Sequence, residues 1–253
     1  MTSDLTGRTA LVTGSGRNIG RAIALGFARA GCNLVLNGAR DRAALESVAA
    51  EAETLGVQAL CVVADVGDAV AVAEMVRQAE ARFGGVDIAV SNVGRRAVRP
   101  LLDITPEEWD SVLRTNLSAA FYLARAVLPG MAQRGFGRII HISGRDGFWT
   151  REKRAHNVTA KAALHSLAKA IALEFGPQGV TANTIVPGLI ETIRDPQSHP
   201  GIAEEMERRL PGIPMRRFGT PEDIAGACLY LAGPQGGFVS GQLLHLNGGE
   251  FLA

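Results

Sequence analysis

Short apolar runs alternate with longer amphipathic stretches along most of the chain. "TALVTG" leads into Asn18 to Ala30, "NLVLN" into Arg42 to Leu55, "ALCVVAD" into Asp68 to Phe83, and "VDIAVSN" into a longer helical region. The runs have strand length and β-type residues, and the stretches between them carry apolar residues at helical spacing. Alternation of this kind predicts βαβ units and a parallel sheet. "GRIIHIS", "VTANTIVPG" and "GQLLHLNGG" bring the expected strands to seven. The expected fold class is α/β, one doubly wound domain over residues 1–253 with a seven-stranded parallel sheet flanked by helices.

Local signals sharpen two of the helix starts. Thr105-Pro106-Glu107-Glu108 and Thr220-Pro221-Glu222-Asp223 each put a capping hydroxyl before a proline at the first helical position. Acids then follow in the first turn, where the helix dipole favours negative charge. The least regular stretch, 189–214, contains "DPQSHPG" and is where a substrate lid is expected.

Composition narrows the class. With 47% hydrophobic residues, 30 glycines and few aromatics, the chain suits a sheet packed by small and aliphatic side chains. A net charge of +1 gives no global attraction to nucleic acid or an anionic membrane, so neither is an expected partner. Cys32, Cys61 and Cys228 are odd in number, far apart and set among apolar residues, against both a disulfide framework and metal spacing. No metal site is expected. The start lacks a basic segment leading into an apolar core, and no apolar run reaches spanning length, so the expected location is the cytoplasm.

The first chemical motif is "TGSGRNIG", set between the first strand and the first helix. Gly14, Gly16 and Gly20 let backbone turn tightly and approach a pyrophosphate, whose charge is met by amides at the helix N-terminus. The run resembles the TGxxxGxG cofactor loop of the short-chain dehydrogenase/reductase superfamily, with Asn18 in place of the middle glycine. Asparagine tolerates the left-handed backbone that glycine usually supplies, so the loop is expected to survive. The resemblance extends along nearly the whole chain, through "CVVADV", "SNVG", "RTNLSAAF", "IVPGLIET" and the C-terminal third from "RRFGTPEDIAG" to "NGG". It implies a Rossmann-type domain, a nicotinamide cofactor, and a homotetramer or homodimer. It also implies cofactor contacts at Gly14, Ser15, Arg17, Asn18, Ile19 and Gly20, then at Asp65 and Val66 beside the adenine, and at Asn92 and Gly94. Pro187, Gly188, Ile190 and Thr192 are implied beside the nicotinamide, and Lys161 at its ribose.

Which nicotinamide cofactor follows from the end of the second strand. Family members that prefer NAD tend to carry an acid there for the ribose 2′-hydroxyl, and here the position is Gly38. Nothing repels a 2′-phosphate, and Arg17 and Arg40 stand where charge-assisted hydrogen bonds would hold one. NADP(H) is the expected cofactor over NAD(H).

The second motif is broken. The family's YxxxK pair sets a tyrosine and a lysine one helical turn apart, and "NVTAK" places Asn157 and Lys161 at that spacing. The tyrosine exchanges the proton; an amide cannot, although it donates a hydrogen bond to a carbonyl oxygen. The family serine, thirteen residues before the tyrosine, falls on Gly144, with Ser143 next to it facing the other way if the strand continues. Asn116 and Lys161 match the family's set. Among substitutes, His156 has a suitable pKa range but sits roughly 140° around a regular helix from Lys161, so a frayed first turn is needed to bring it in. Asp146 and His141 are further candidates; Tyr122 and Tyr230 suit packing better.

Arg95, Arg96 and Arg99 follow the "NVG" turn, and Arg145, Arg151, Lys153 and Arg154 precede the catalytic helix. Both segments are expected at the carboxyl ends of neighbouring strands, where ligands bind in open α/β sheets. Convergence would form a basic mouth for an anionic small molecule. The alternative is a charged rim, solvated or facing another subunit and partly neutralised by Asp103, Asp146 and Glu152. The function expected is an NADP(H)-dependent oxidoreductase acting on a carbonyl/alcohol pair or an activated double bond, with a non-standard proton donor. A catalytically silent cofactor binder, and a non-redox lyase or isomerase in the same pocket, are the alternatives.

Overall fold

The computed structural model of the chain describes residues 5–193 and 202–252. Among these, the apolar runs become seven strands: β1 (Thr9–Val12), β2 (Asn33–Gly38), β3 (Ala59–Val63), β4 (Ile88–Ser91), β5 (Gly137–Ile142), β6 (Val180–Pro187) and β7 (Leu243–Leu246). Between them lie α1 (Asn18–Arg29), α2 (Arg42–Thr54), α3 (Ala69–Phe83), α4 (Pro106–Leu113), α5 (Ala119–Arg134), α6 (Ala155–Phe175), α7 (Ile202–Arg209) and α8 (Pro221–Ala232). Every strand pair is parallel, in the order β3-β2-β1-β4-β5-β6-β7. The order reverses between β1 and β4, which opens a crevice above their carboxyl ends.

Alternation along each strand divides the core in two. Ala10, Val12, Leu34, Leu36, Ile88 and Val90 pack with α1, α2 and α8 on one face. Leu11, Val35, Ala89 and Ile139 pack with α3, α5 and α6 on the other. Because both faces are covered, the strands read as continuous apolar runs rather than as polar-apolar alternation.

Helix starts fall where the capping signals put them. Thr105 Oγ1 accepts from the Glu108 amide at 3.2 Å. Thr220 and Asp223 form a reciprocal capping box, with bonds of 3.2 and 2.8 Å. Asp41 and Asp68 cap α2 and α3, which therefore begin one residue after an acid. Between α4 and α5 the helix widens into a π-helical segment, Arg114–Ser118, which turns Asn116 inward. Of the expected lid over 189–214, residues 194–201 lie outside the described residues; α7 occupies its later part.

Candidate active site

The glycine turn after β1 has the backbone a phosphate loop needs. Gly14 has φ 64° and Asn18 φ 50°, so asparagine takes the left-handed conformation expected of it. At Gly20 a Cβ would lie 2.1 Å from the Gly14 carbonyl oxygen, which leaves room for glycine alone. No side chain caps α1 and no acid stands in its first turn, so its leading amides have neither a competing acceptor nor a repelling charge. The residues present fit a dinucleotide pyrophosphate.

The Asn18 side chain does more than permit the turn. Its Nδ2 donates to the Ile193 carbonyl at 3.0 Å and its Oδ1 accepts from the Ile193 amide at 2.9 Å. A glycine there would leave the loop and Ile193 untied. Ser15, by contrast, is fully buried: its hydroxyl donates to the Asn37 carbonyl and accepts from the Asn37 amide at 3.0 Å. Arg17 and Arg40 are both exposed, and Gly38 ends β2 against Leu45 with no acid at the position.

Asn92 closes the crevice at the point where the strand order reverses. Its amide donates to Thr13 Oγ1 at 2.9 Å and its Nδ2 to the Thr13 carbonyl at 3.1 Å, tying the ends of β1 and β4. Thr13 was not singled out in the sequence, where it reads as one more strand residue. A cavity of about 370 Å³ opens from here. Ile19, Asn92, Gly94, Lys161, Pro187, Gly188, Ile190 and Thr192 are among the residues that line it. Gly14, Arg17, Asn18, Gly20, Arg40, Asp65 and Val66 are outside that lining; Asp65 is exposed and accepts from the Gly67 amide, and Val66 is buried.

Asn157 faces the same cavity from the first turn of α6. Its Nδ2 donates to the Ala97 carbonyl at 2.7 Å, and its Oδ1 accepts from Asn116 Nδ2 at 3.0 Å. Asn116 is itself held on both sides by the Arg95 backbone, accepting from its amide at 2.6 Å and donating to its carbonyl at 2.9 Å. One N–H of Asn157 remains for a ligand. Beside it, Gly144 is extended, and a Cβ added there would meet nothing within 4 Å. The serine hydroxyl nearest this space, Ser143, turns to α6 instead, with Lys161 O at 3.0 Å and His165 Nε2 at 2.9 Å.

Lys161 reaches the cavity wall between these groups, and its Nζ donates to the Ile142 carbonyl at 2.9 Å. Burial, and then the positive charge of Arg96, lower its pKa to about 8. His156 is not part of the wall. It is fully buried at the start of a regular α6, its Nδ1 accepts from the Asn157 amide at 3.0 Å, and no fraying brings it round to Lys161. His141 is buried inside β5 and held to about 4 by burial and by Lys161. Neither Tyr122 nor Tyr230 lines the cavity: Tyr122 packs beside the α3/α5 core and Tyr230 is exposed on α8.

Arginines do converge on the mouth, though not all those expected. Arg96, Arg145, Arg151 and Arg154 line the cavity, and Arg209 of α7 joins them. Arg95 turns to Ser111 Oγ at 2.8 Å, Arg99 pairs with Glu108, and Lys153 lies outside the lining. Asp146 faces Arg151 at 3.7 Å and Arg154 at 3.5 Å. Deeper in, one oxygen of Glu250 holds Arg145 at 2.7 Å and Arg209 at 2.6 Å. Arg209 and Glu250 were missed in the sequence because each lies in a stretch whose partner is remote: 41 residues separate them. Among the described residues no group of His, Cys, Asp or Glu is arranged to hold a metal, and no helix is long and apolar enough to cross a membrane.

An all-parallel sheet with a glycine turn and an uncapped helix N-terminus at its switch point defines a dinucleotide-binding enzyme scaffold of the Rossmann class. Comparison with known proteins carries this to a family. The family model described as enoyl-(acyl carrier protein) reductase matches residues 14–250. The 3-oxoacyl-(acyl-carrier-protein) reductase FabG of Staphylococcus epidermidis is 34% identical over 245 residues, 97% of this chain and 99% of that protein. The D-beta-hydroxybutyrate dehydrogenase of Rhizobium meliloti is 36% identical over 252 residues, 96% of this chain and 98% of that one. Among solved structures, a short-chain type dehydrogenase/reductase from Mycobacterium marinum superposes with a TM-score of 0.90 at 33% identity, covering 99% of this chain and 98% of that one. The chain belongs to the short-chain dehydrogenase/reductase superfamily, and it is an NAD(P)-dependent short-chain oxidoreductase.

Proposed function

We propose that the chain is an NADP(H)-dependent oxidoreductase of small β-oxygenated acyl compounds that carry a negative charge, a β-keto acid and its β-hydroxy partner being the simplest. The observation that carries this is the cavity wall. Arg96, Arg145, Arg151, Arg154, Arg209 and Lys161 stand on it, with the carboxylate of Asp146 on the wall and that of Glu250 behind Arg145 and Arg209. Guanidinium groups gathered around a partly desolvated cavity recognise carboxylate, phosphate or a nucleotide-bearing thioester. The relatives are named for 3-oxoacyl-(acyl-carrier-protein) and for D-beta-hydroxybutyrate, which share an oxygen at the β-carbon.

Gly14, Gly20 and the α1 amides would hold the pyrophosphate, Arg17 and Arg40 the 2′-phosphate, and Lys161 the nicotinamide ribose. When bound, the nicotinamide gives or takes the hydride. The chain's own residues then orient the substrate: the arginines hold its anionic end, and the free N–H of Asn157 meets the reacting oxygen. Exposed Phe121 on α5 and Leu173 on α6, 47% and 84% accessible, support a homodimer or homotetramer built on these helices.

The test is calorimetric titration with NADPH and NADH, followed by NADPH oxidation with acetoacetate, acetoacetyl-coenzyme A and an uncharged ketone of the same length. The expected result is selective NADPH binding and turnover of the two anions over the uncharged ketone. Tight NADPH binding with no turnover of any would favour the catalytically silent reading. Equal or tighter NADH binding would overturn the cofactor assignment.

A further inference from the structure

The family's phenol is absent, and the cavity has one group placed to replace it. We propose that Lys161 is the acid and base of the reaction, exchanging the proton with the substrate oxygen across at most one water. The assignment rests on the oxidoreductase reading above and goes beyond it in naming the residue.

Elimination within the wall comes first. Arginines keep their protons at any working pH. Asp146 directs its oxygens at Arg151 and Arg154, not at the reacting centre. The Ser143 hydroxyl is engaged by Lys161 O and His165 on α6. Asn157 and Asn116 are amides, and each is bonded into the segment that follows β4. The buried imidazoles His141 and His156 and both tyrosines lie off the wall. Among the titratable groups of the described wall Lys161 is what remains.

Its geometry suits the task. An ammonium has three N–H donors, and the Ile142 carbonyl takes one, at 2.9 Å. Asparagine at 157 is shorter than a tyrosine and is drawn back toward Ala97, and Gly144 adds no side chain to fill the gap. Neither position therefore carries a phenol or a hydroxyl on the wall that Lys161 shares. A lysine held near 8 by burial and by Arg96 has both forms within reach at neutral pH, as a general acid and base must. In reduction, an N–H bond of the ammonium breaks and an O–H bond forms, while carbon gains the hydride electron pair from the bound cofactor. The neutral amine left behind regains its proton from solvent. In oxidation the neutral amine takes the alcohol proton.

The chain has three lysines, Lys153, Lys161 and Lys169, so protein labelled with carbon-13 at lysine Cε should give three resolvable signals. Lys161→Met identifies the Lys161 signal by its loss. The expected result is a Lys161 midpoint near 8 that moves when NADPH is added. With acetoacetate, the same midpoint should appear as a limb of the kcat–pH profile. Lys161→Arg should retain NADPH binding within a few-fold, lower kcat at least 100-fold and lose that limb, whereas Asn157→Ala should lower kcat less than tenfold with the limb in place. NADPH binding together with a Lys161 signal at the ordinary value would overturn the assignment alone. So would a limb that persists in Lys161→Arg. Failure to bind either nicotinamide cofactor would overturn the oxidoreductase reading and this assignment with it.

Discussion

Asn116 Nδ2 donates to Asn157 Oδ1 at 3.0 Å, joining the π-helical segment before α5 to the first turn of α6. Both side chains are almost fully buried. Through Asn116 the Arg95 backbone joins this pair, and through Asn157 the Ala97 carbonyl, so the amides bind the segment after β4 to two helices. At this point the chain has a structural knot with one spare donor.

Cutting the knot should cost stability. Asn116→Ala leaves the Arg95 amide, the Arg95 carbonyl and Asn157 Oδ1 without their partner, and an orphaned buried polar group costs about 1–3 kcal/mol. A loss of roughly 2–4 kcal/mol is expected, which in a chain of this size lowers Tm by about 4–16 °C. In a double-mutant cycle with Asn157→Ala the two should couple by at least about 1 kcal/mol. Additive effects by thermal denaturation would mean that the bond between them contributes nothing.

Asn18 tests whether the tie between the phosphate loop and Ile193 matters. Asn18→Gly keeps the left-handed backbone but removes both bonds to Ile193, so NADPH affinity should change little while the Ile193 amide exchanges its hydrogen at least tenfold faster. Asn18→Ala loses the bonds and in addition strains the turn by about 1 kcal/mol. Hydrogen exchange on the two variants separates the tether from the turn. Unchanged protection at Ile193 in both would show that the tie has no part in holding Ile193.

The basic mouth predicts a split in kinetic constants. Replacing Arg96 and Arg151 together with glutamine removes two of the six cations on the wall and touches neither Asn92 nor the glycine turn. Charge-assisted bonds of this kind contribute about 1.5–3 kcal/mol each when partly desolvated. KM for acetoacetate should rise at least tenfold, with the NADPH dissociation constant within a few-fold of its original value. An unchanged KM would make these arginines a solvated or subunit-facing rim.

Much of this was legible in the residues because it is written in local periodicity. Strand and helix order, the capped starts at Thr105 and Thr220, and the left-handed Asn18 each depend on neighbours within a few positions. The cavity's cations were half legible: Arg96 and Arg151 sit beside recognisable turns, but Arg209 joins only because Glu250, at the far end of the chain, bridges it to Arg145. Side-chain direction was the other limit. Ser15 turning into the sheet, Arg95 and Arg99 turning out, and Asn157 turning toward Ala97 are decided by three-dimensional partners that no spacing rule names.

The buried histidines predict acid lability. His141 sits within β5 with no hydrogen-bond partner on either ring nitrogen, and His165 faces Ser143 from α6. Burial, and for each the nearby Lys161 with another imidazole, hold both at about 4, below the ordinary 6.5. Between those values the unfolded chain carries a proton on each ring that the folded chain refuses. Their contribution to stability is therefore complete above about pH 6.5 and lost as pH falls toward 4. At pH 5 the loss is on the order of 2 kcal/mol for each ring. Urea denaturation at pH 7.5 and pH 5.0 should show the original protein losing stability over this interval. His141→Leu, which cannot titrate and fills the same apolar strand, should lose about half as much. An equal loss in the variant would place the acid-sensitive group elsewhere, and a larger loss would mean that His141 is protonated and paired in the native state.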